Sequence, residues 1–273
     1  MKRSTPPPYR RPALIAGSLG LHAAGLAVLA AAPGRWPLVA GALVADHLAL
    51  AAASLWPKSS WVGSNLVRLG ADQAREKEVA LTFDDGPDPA VTPRVLDLLD
   101  QAGARATFFC IGRRVQALPG LAAEIARRGH RVENHSQTHP NLFACYPSPL
   151  LRREVERAQE AIEAAVGARP ALFRAPAGLR NPLLDRVLHR CRLRLVSWTR
   201  RGFDAIGRDP AAVARRLLRG LAPGDVLLLH DGSTARGQGG NPLVLEVLPR
   251  VLDALSARGL KSVAIGEEDG VER

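Results

Sequence analysis

Two apolar stretches, residues 13–32 and 37–56, open the chain and are parted by Pro33-Gly34-Arg35-Trp36; each is long enough to cross ~30 Å of hydrocarbon as a helix. Beyond residue 76 the pattern changes. Short hydrophobic runs at 78–83, 105–110, 131–134, 171–174, 193–198, 225–229 and 260–265 read as strands, and longer stretches of helical period separate them. Strands alternating with helices imply a parallel sheet, closed or nearly so. A polar residue followed by proline marks helix starts at Thr92-Pro93, Ser148-Pro149, Asn181-Pro182, Asp209-Pro210 and Asn241-Pro242, and Gly103, Gly129, Gly167 and Gly259 close helices. Leu151, Val155, Ala158, Ile162 and Val166 form one apolar stripe, which predicts an amphipathic helix packed on a core.

The two opening stretches read as a membrane hairpin over residues 1–57, followed by a linker at 58–75, a soluble domain at 76–266 and a tail at 267–273. A cleaved signal peptide is the rival for the first stretch, but its apolar run exceeds a usual signal core and a second run follows at once. Asp46 and His47 sit near the centre of the second stretch, where a charge costs ~2.5–3.5 kcal/mol on insertion scales. In an antiparallel hairpin His22 and Asp46 reach the same depth and pair; a helix lying in the interface is the alternative. Lys2, Arg3, Arg10 and Arg11 precede the hairpin and Lys58 and Arg68 follow it, against Arg35 alone in the turn. By the positive-inside rule both ends face the cytoplasm of a bacterial-type inner membrane, with the domain on that side.

Chemistry concentrates where the hydrophobic runs end. In Thr82-Phe83-Asp84-Asp85-Gly86-Pro87 two carboxylates sit side by side at a strand end, an arrangement costly unless one binds a cation while its neighbour handles protons. His135 and His139 are four residues apart, a spacing that lets both reach one ion from a helical turn. Phe173-Arg174-Ala175-Pro176-Ala177-Gly178 and Val226-Leu227-Leu228-Leu229-His230-Asp231-Gly232 follow the same plan. Asp84, Asp85, His135, Arg174 and His230 all fall at or just past the carboxyl ends of strands, the rim on which β/α barrels assemble active sites. His130 and His189 have no such placement and read as structural.

These four segments, in this order, resemble the polysaccharide deacetylases, the NodB-homology or carbohydrate esterase family 4 enzymes. The resemblance implies a deformed (β/α)7 barrel and a hydrolase that removes an N-acetyl group from an amino sugar with one divalent metal, zinc or else cobalt. It implies Asp85, His135 and His139 as metal ligands and Asp84 as the base. Arg174 would tether that base, the Ala177 backbone N–H would hold the oxyanion with Leu228 among the substrate contacts, and His230 would be the acid. Two departures stand out: Ala177 replaces a common aromatic residue, and the orienting acid finds its nearest counterpart at Asp204, in Trp198-Thr199-Arg200-Arg201-Gly202-Phe203-Asp204. Loss of aromatic walls weakens stacking against a sugar.

Composition narrows the alternatives. With 273 residues the chain holds one sizeable domain plus something small. Three scattered cysteines, Cys110, Cys145 and Cys191, form no metal-binding pair and read as structural or free thiols. The net charge of +11 is concentrated at the amino-terminal end and aromatic residues are few, which disfavours a nucleic-acid partner. The expected partners are an N-acylated amino-sugar glycan and the membrane. One alternative is a cytoplasmic-face deacylase of a polyprenyl-phosphate-linked N-acyl amino sugar. The rival from another class is an inactive carbohydrate-binding or membrane-scaffold protein that keeps the fold.

Overall fold

The computed structural model describes residues 8–266. Lys2, Arg3, Arg273 and the expected tail lie outside the described residues. Helices α1 (Ala13–Ala31) and α2 (Trp36–Leu55) form the hairpin, and both are long and apolar enough to cross a membrane by length and composition. Small residues let them approach: a Cβ at Gly25 would stand 2.9 Å from Val39 Cγ1. Asp46 does not take His22 as its hydrogen-bond partner. Its Oδ2 accepts from the Ser18 hydroxyl at 2.7 Å, and His22 Nδ1 is engaged at 2.8 Å by the Ser18 carbonyl, because a hydroxyl one turn before His22 reaches across the helix interface first.

A short helix, α3 (Ala71–Arg75), leads into β1 (Glu78–Asp84). There follow α4 (Thr92–Gln101), β2 (Ala106–Cys110), α5 (Gly112–Ala117), α6 (Pro119–Arg127) and β3 (Arg131–Asn134). Next come α7 (Ser148–Val166), β4 (Leu172–Phe173), α8 (Leu184–Cys191) and β5 (Arg194–Leu195). The chain ends with β6 (Arg200–Arg201), α9 (Pro210–Leu218), β7 (Val226–His230), α10 (Leu243–Ala257) and β8 (Lys261–Ser262). The strands lie where the hydrophobic runs predict them, with β6 added, and several are shorter than expected. Of the proline-preceding polar residues, Asp209 caps as predicted, accepting from Ala211 N. Thr92 instead turns its hydroxyl to Asp231.

The sheet runs β5-β4-β3-β2-β1-β7-β6, with β8 on the lower end of β1, and every named pairing is parallel. This is the expected deformed barrel, with β5 and β6 left unpaired to each other among the described residues. Into that gap comes the stretch expected as a linker. Leu66 bridges Val196 in parallel and Arg68 bridges Asp225 in antiparallel sense, while Leu66 and Leu69 are buried. Residues 64–69 are thus part of the barrel wall, because its open edge leaves backbone groups that need partners.

Strand period places the side chains. On β1, Val79, Leu81 and Phe83 face outward into the main core with α4, α9 and α10, whereas Ala80 turns inward beside Leu228 and Phe109. Alternation brings Thr82 and Asp84 to the same inner face, and on β7 it stacks Val226, Leu228 and His230 inward from base to rim. Asp84 and His230 are register partners at the top of the two strands. Burying each core leucine contributes about 1.5–3 kcal/mol, so this in–out assignment is strongly enforced.

Candidate active site

The rim gathers its residues from five strand ends. Asp84 ends β1 and Asp85 follows with φ 72°, a left-handed conformation that turns its carboxylate across the barrel mouth. The turn is wedged from behind: a Cβ on Gly232 would stand 2.1 Å from the Asp85 carbonyl oxygen, and one on Gly86 2.3 Å from Asp231 Oδ2. The two loops interlock only with glycine at both places.

His135 follows β3 directly, and its Nδ1 contacts the Arg174 carbonyl at 2.8 Å. Since a carbonyl only accepts, Nδ1 carries the proton and Nε2 faces the mouth. The expected helical turn between His135 and His139 is absent. The segment is a bent loop in which Ser136 (φ 65°) and His139 (φ 53°) are left-handed and His139 N–H donates to Ser136 Oγ. Convergence of the two imidazoles therefore comes from two backbone reversals and not from helical period. Positive φ at non-glycine residues costs of order 1–3 kcal/mol each and persists only where surrounding structure enforces it.

Asp85 Oδ1 lies 3.3 Å from Nε2 of both His135 and His139, is buried and has no hydrogen-bond partner. Its other oxygen accepts from Ser233 Oγ. An orphaned carboxylate oxygen between two imidazole lone pairs, all within 4.8 Å of one another, fits a divalent cation. Burial works to raise the Asp85 carboxyl, but contact with His135, the charges of both imidazoles and the Ser233 hydroxyl outweigh it and hold the group well below the usual carboxylate range.

Arg174, just past β4, is fully buried. Its Nη1 donates to Asp84 Oδ1 at 2.6 Å and to Thr82 Oγ1 at 2.8 Å, and its Nη2 donates to the Ser197 carbonyl at 2.9 Å. The guanidinium plane lies over Phe109 at 4.1 Å. Such a clamp fixes Asp84 in one rotamer. On the opposite side Asp204, fully buried, spans His230: Oδ1 is 2.9 Å from Nδ1 and Oδ2 accepts from the backbone N–H at 2.7 Å. Burial works against the charged imidazole, yet the bond and charge of Asp204, with Asp84 and Asp85 beyond, push His230 up to about 9. Ala177 caps a tight turn at φ 54°, solvent-exposed, over Gly178, where a Cβ would meet the Trp198 ring at 2.4 Å. Leu228 lies one layer below His230 and is buried.

Asp84, Asp85, His135, His139, Arg174, Asp204 and His230 thus gather at one barrel end with Leu228 a layer below, and His130 and His189 lie elsewhere. His130 is buried with Nδ1 accepting from Ala106 N–H, and burial pushes it down to about 4. His189 sits on α8 against the Tyr9 ring. Sequence reasoning missed Ser233, Thr82 and the Thr92–Asp231 pair. Asp231 is buried beneath the Asp85 turn, its N–H donates to the Asp84 carbonyl, and burial first and then Asp85 push its carboxyl up to about 7. Only the Asp231-Gly232-Ser233 turn after the β7 run offered a signal, and its partners lie on the Asp84-Asp85 loop.

The family model for polysaccharide deacetylases matches residues 71–196. A peptidoglycan-N-acetylglucosamine deacetylase of Bacillus cereus is 35% identical over 195 residues, covering 70% of this chain and 88% of that protein. A chitooligosaccharide deacetylase of a Bradyrhizobium species is 34% identical over 202 residues, covering 70% and 90%. Among solved structures, a family 4 carbohydrate esterase from Streptomyces lividans, in complex with acetate, superposes with a TM-score of 0.63 at 34% identity, covering 70% of this chain and 94% of that one. A pseudoenzyme of the same family from Bacillus anthracis matches with a TM-score of 0.66 at 26% identity, covering 74% and 67%.

Proposed function

From the premise that the chain belongs to the polysaccharide deacetylase family and is a carbohydrate deacetylase, a hydrolase of carbon–nitrogen bonds other than peptide bonds, we propose that it removes an N-acetyl group from an amino sugar in a glycan. The observation that carries the reading is the pairing of the Asp85, His135 and His139 cluster with an Asp84 carboxylate clamped by Arg174 at 2.6 Å. Asp85, His135 and His139 would hold a divalent ion, zinc by their donor set and cobalt as second choice, which when bound would supply Lewis-acid polarisation of a carbonyl and acidify water.

The chain's own residues do the rest. Asp84 takes the proton as the water oxygen adds to the acyl carbon, and Arg174 keeps the carboxylate aimed until then. The N–H of Ala177 stabilises the oxyanion, and Leu228, beneath His230, is among the substrate contacts. His230, held by Asp204, donates its Nε2 proton to the nitrogen as the carbon–nitrogen bond breaks, leaving a carboxylate and a free amine. The scaffold reading is weakened, since a protein needing only the fold has no use for an intact ligand set beside a buried base and acid. Acetate release from N-acetylglucosamine oligomers by the purified full chain tests the reading. Wild-type protein should release acetate and Asp84→Asn should not; equal rates would overturn it.

A second reading, a lipid-linked N-acyl amino sugar as substrate, draws support from where the hairpin joins the barrel. Ser197 Oγ donates to the Pro57 carbonyl at 2.6 Å, Lys58 Nζ donates to the Thr199 carbonyl at 2.8 Å, and Arg180 N–H contacts the Ser54 carbonyl. Pro57 also lies against the Gly178 turn. The exit of α2 is therefore fastened to the loops after β4 and β5, on the catalytic rim. With the hairpin spanning the membrane, that attachment holds the mouth next to the bilayer surface, within reach of a sugar carried on a lipid. Comparison of acetate release from lipid-linked and free N-acetylated sugars in reconstituted vesicles tests it; faster turnover of the free sugar would overturn it.

A further inference from the structure

A second cluster of metal-ligating side chains lies in the hairpin, away from the catalytic rim. His22, Asp46 and His47 bring one ligand atom each to within 4.8 Å of one another, and they are the same donor set as Asp85, His135 and His139. Both imidazoles are oriented alike. His22 Nδ1 lies 2.8 Å from the Ser18 carbonyl and His47 Nδ1 2.7 Å from the Leu43 carbonyl, each one turn back on its own helix. Because those carbonyls only accept, both Nδ1 atoms carry the proton and both Nε2 lone pairs are left to a ligand, the orientation that metal-bound histidines show. The two rings meet edge to face with centroids 5.3 Å apart. Asp46 is held in the same manner: Ser18 Oγ donates to its Oδ2 at 2.7 Å and leaves Oδ1 for a cation.

Three such groups at mid-length of two helices with a mean hydropathy of 1.8 demand a reason, since each is costly in hydrocarbon. We propose that the hairpin binds a second divalent transition-metal ion on His22 Nε2, Asp46 and His47 Nε2, which staples α1 to α2. Two imidazoles and one carboxylate suit zinc or cobalt(II), and three protein ligands leave a fourth position for water. A polar network that only hydrogen-bonds the two helices together is the competing account. The site rests on hairpin geometry and not on the deacetylase reading.

The test uses the full chain in detergent with His135 and His139 both replaced by alanine, so that cobalt(II) reports on the hairpin alone. The expected result is about one cobalt per chain with the visible absorption of a four-coordinate ion. Adding His22→Gln and His47→Gln should abolish that signal, and Ser18→Ala should weaken binding about 10–100-fold by releasing Asp46. His47 is exposed, so His47→Gln alone keeps the hairpin folded and should still weaken binding at least about tenfold. No cobalt in the His135→Ala/His139→Ala chain with its helical circular dichroism retained would overturn the site, and so would undiminished affinity in the His47→Gln protein. With the catalytic rim intact, His47→Gln should release acetate at the wild-type rate, which separates failure of this site from failure of the catalytic reading.

Discussion

Asp84 and Asp85 are neighbours with separate environments, and the first prediction follows from that separation. Asp84 is clamped by Arg174 and Asp85 faces two imidazoles. Asp84→Asn should lower turnover by about 10²–10⁴-fold or more while metal analysis still finds the catalytic ion; Asp85→Asn should lose both. His230 gives the pH dependence. Its acid form is held up to about 9, with burial opposing and Asp204 prevailing. Activity limited by that acid falls as pH rises through about 9, and Asp204→Asn should move the alkaline limb of the pH–rate profile towards the ordinary imidazole value of about 6.5. The stability sign is the same: a raised histidine pKa stabilises the fold fully below about 6.5 and that contribution is lost as pH rises through about 9. A limb unmoved by Asp204→Asn would remove His230 as the acid.

Loops and strand edges carry the next expectations. Gly232 touches the Asp85 backbone so closely that any Cβ displaces it, whatever the φ. Gly232→Ala should therefore reduce both metal occupancy and acetate release, read by metal analysis and assay, with the thermal transition changed less than the activity. Residues 64–69 close the gap beside β5, with Leu66 and Leu69 packed among Ala80, Phe109, Leu172 and Trp198. Leu66→Ala should cost about 2–5 kcal/mol in denaturant unfolding. Removing residues 1–70 should likewise destabilise the barrel far more than removing residues 1–55, because only the longer deletion takes away its wall. Equal midpoints for the two truncations would show the segment to be a mere tether.

At the scale of the whole molecule, hairpin and barrel are joined at one end. The catalytic rim is fastened to the exit of α2, so the side of the membrane decides which sugars arrive. With the hairpin in a membrane, the positive-inside rule applied to Arg10 and Arg11 before it and Lys58 and Arg68 after it predicts both ends on the cytoplasmic side. A carboxyl-terminal alkaline phosphatase fusion should then stay inactive while a fluorescent fusion that folds in the cytoplasm lights up. An active phosphatase would put the barrel outside and make polymeric glycan its substrate.

The sequence by itself determined the alternation of strands and helices, the parallel sheet and most residues of the rim. Alternation with period two fixes the face each side chain takes, and a polar residue at the end of a hydrophobic run has only the barrel mouth to occupy. That reasoning places Asp84, Asp85, His135, Arg174 and His230 at the rim. It failed where the partner depends on backbone paths between elements. His135 and His139 meet through left-handed residues that no helical period describes, and Asp204 reaches His230 only because the short β6 and its following turn bring them together across 26 residues. Ser233 and the packed segment at 64–69 were illegible for the same reason. Periodicity says which side of its own element a residue occupies and nothing about which distant element comes to meet it. The hairpin shows the same division: sequence put His22 and Asp46 at one depth, but the packing of α1 against α2 gave Asp46 to Ser18 and brought His47 close to both His22 and Asp46.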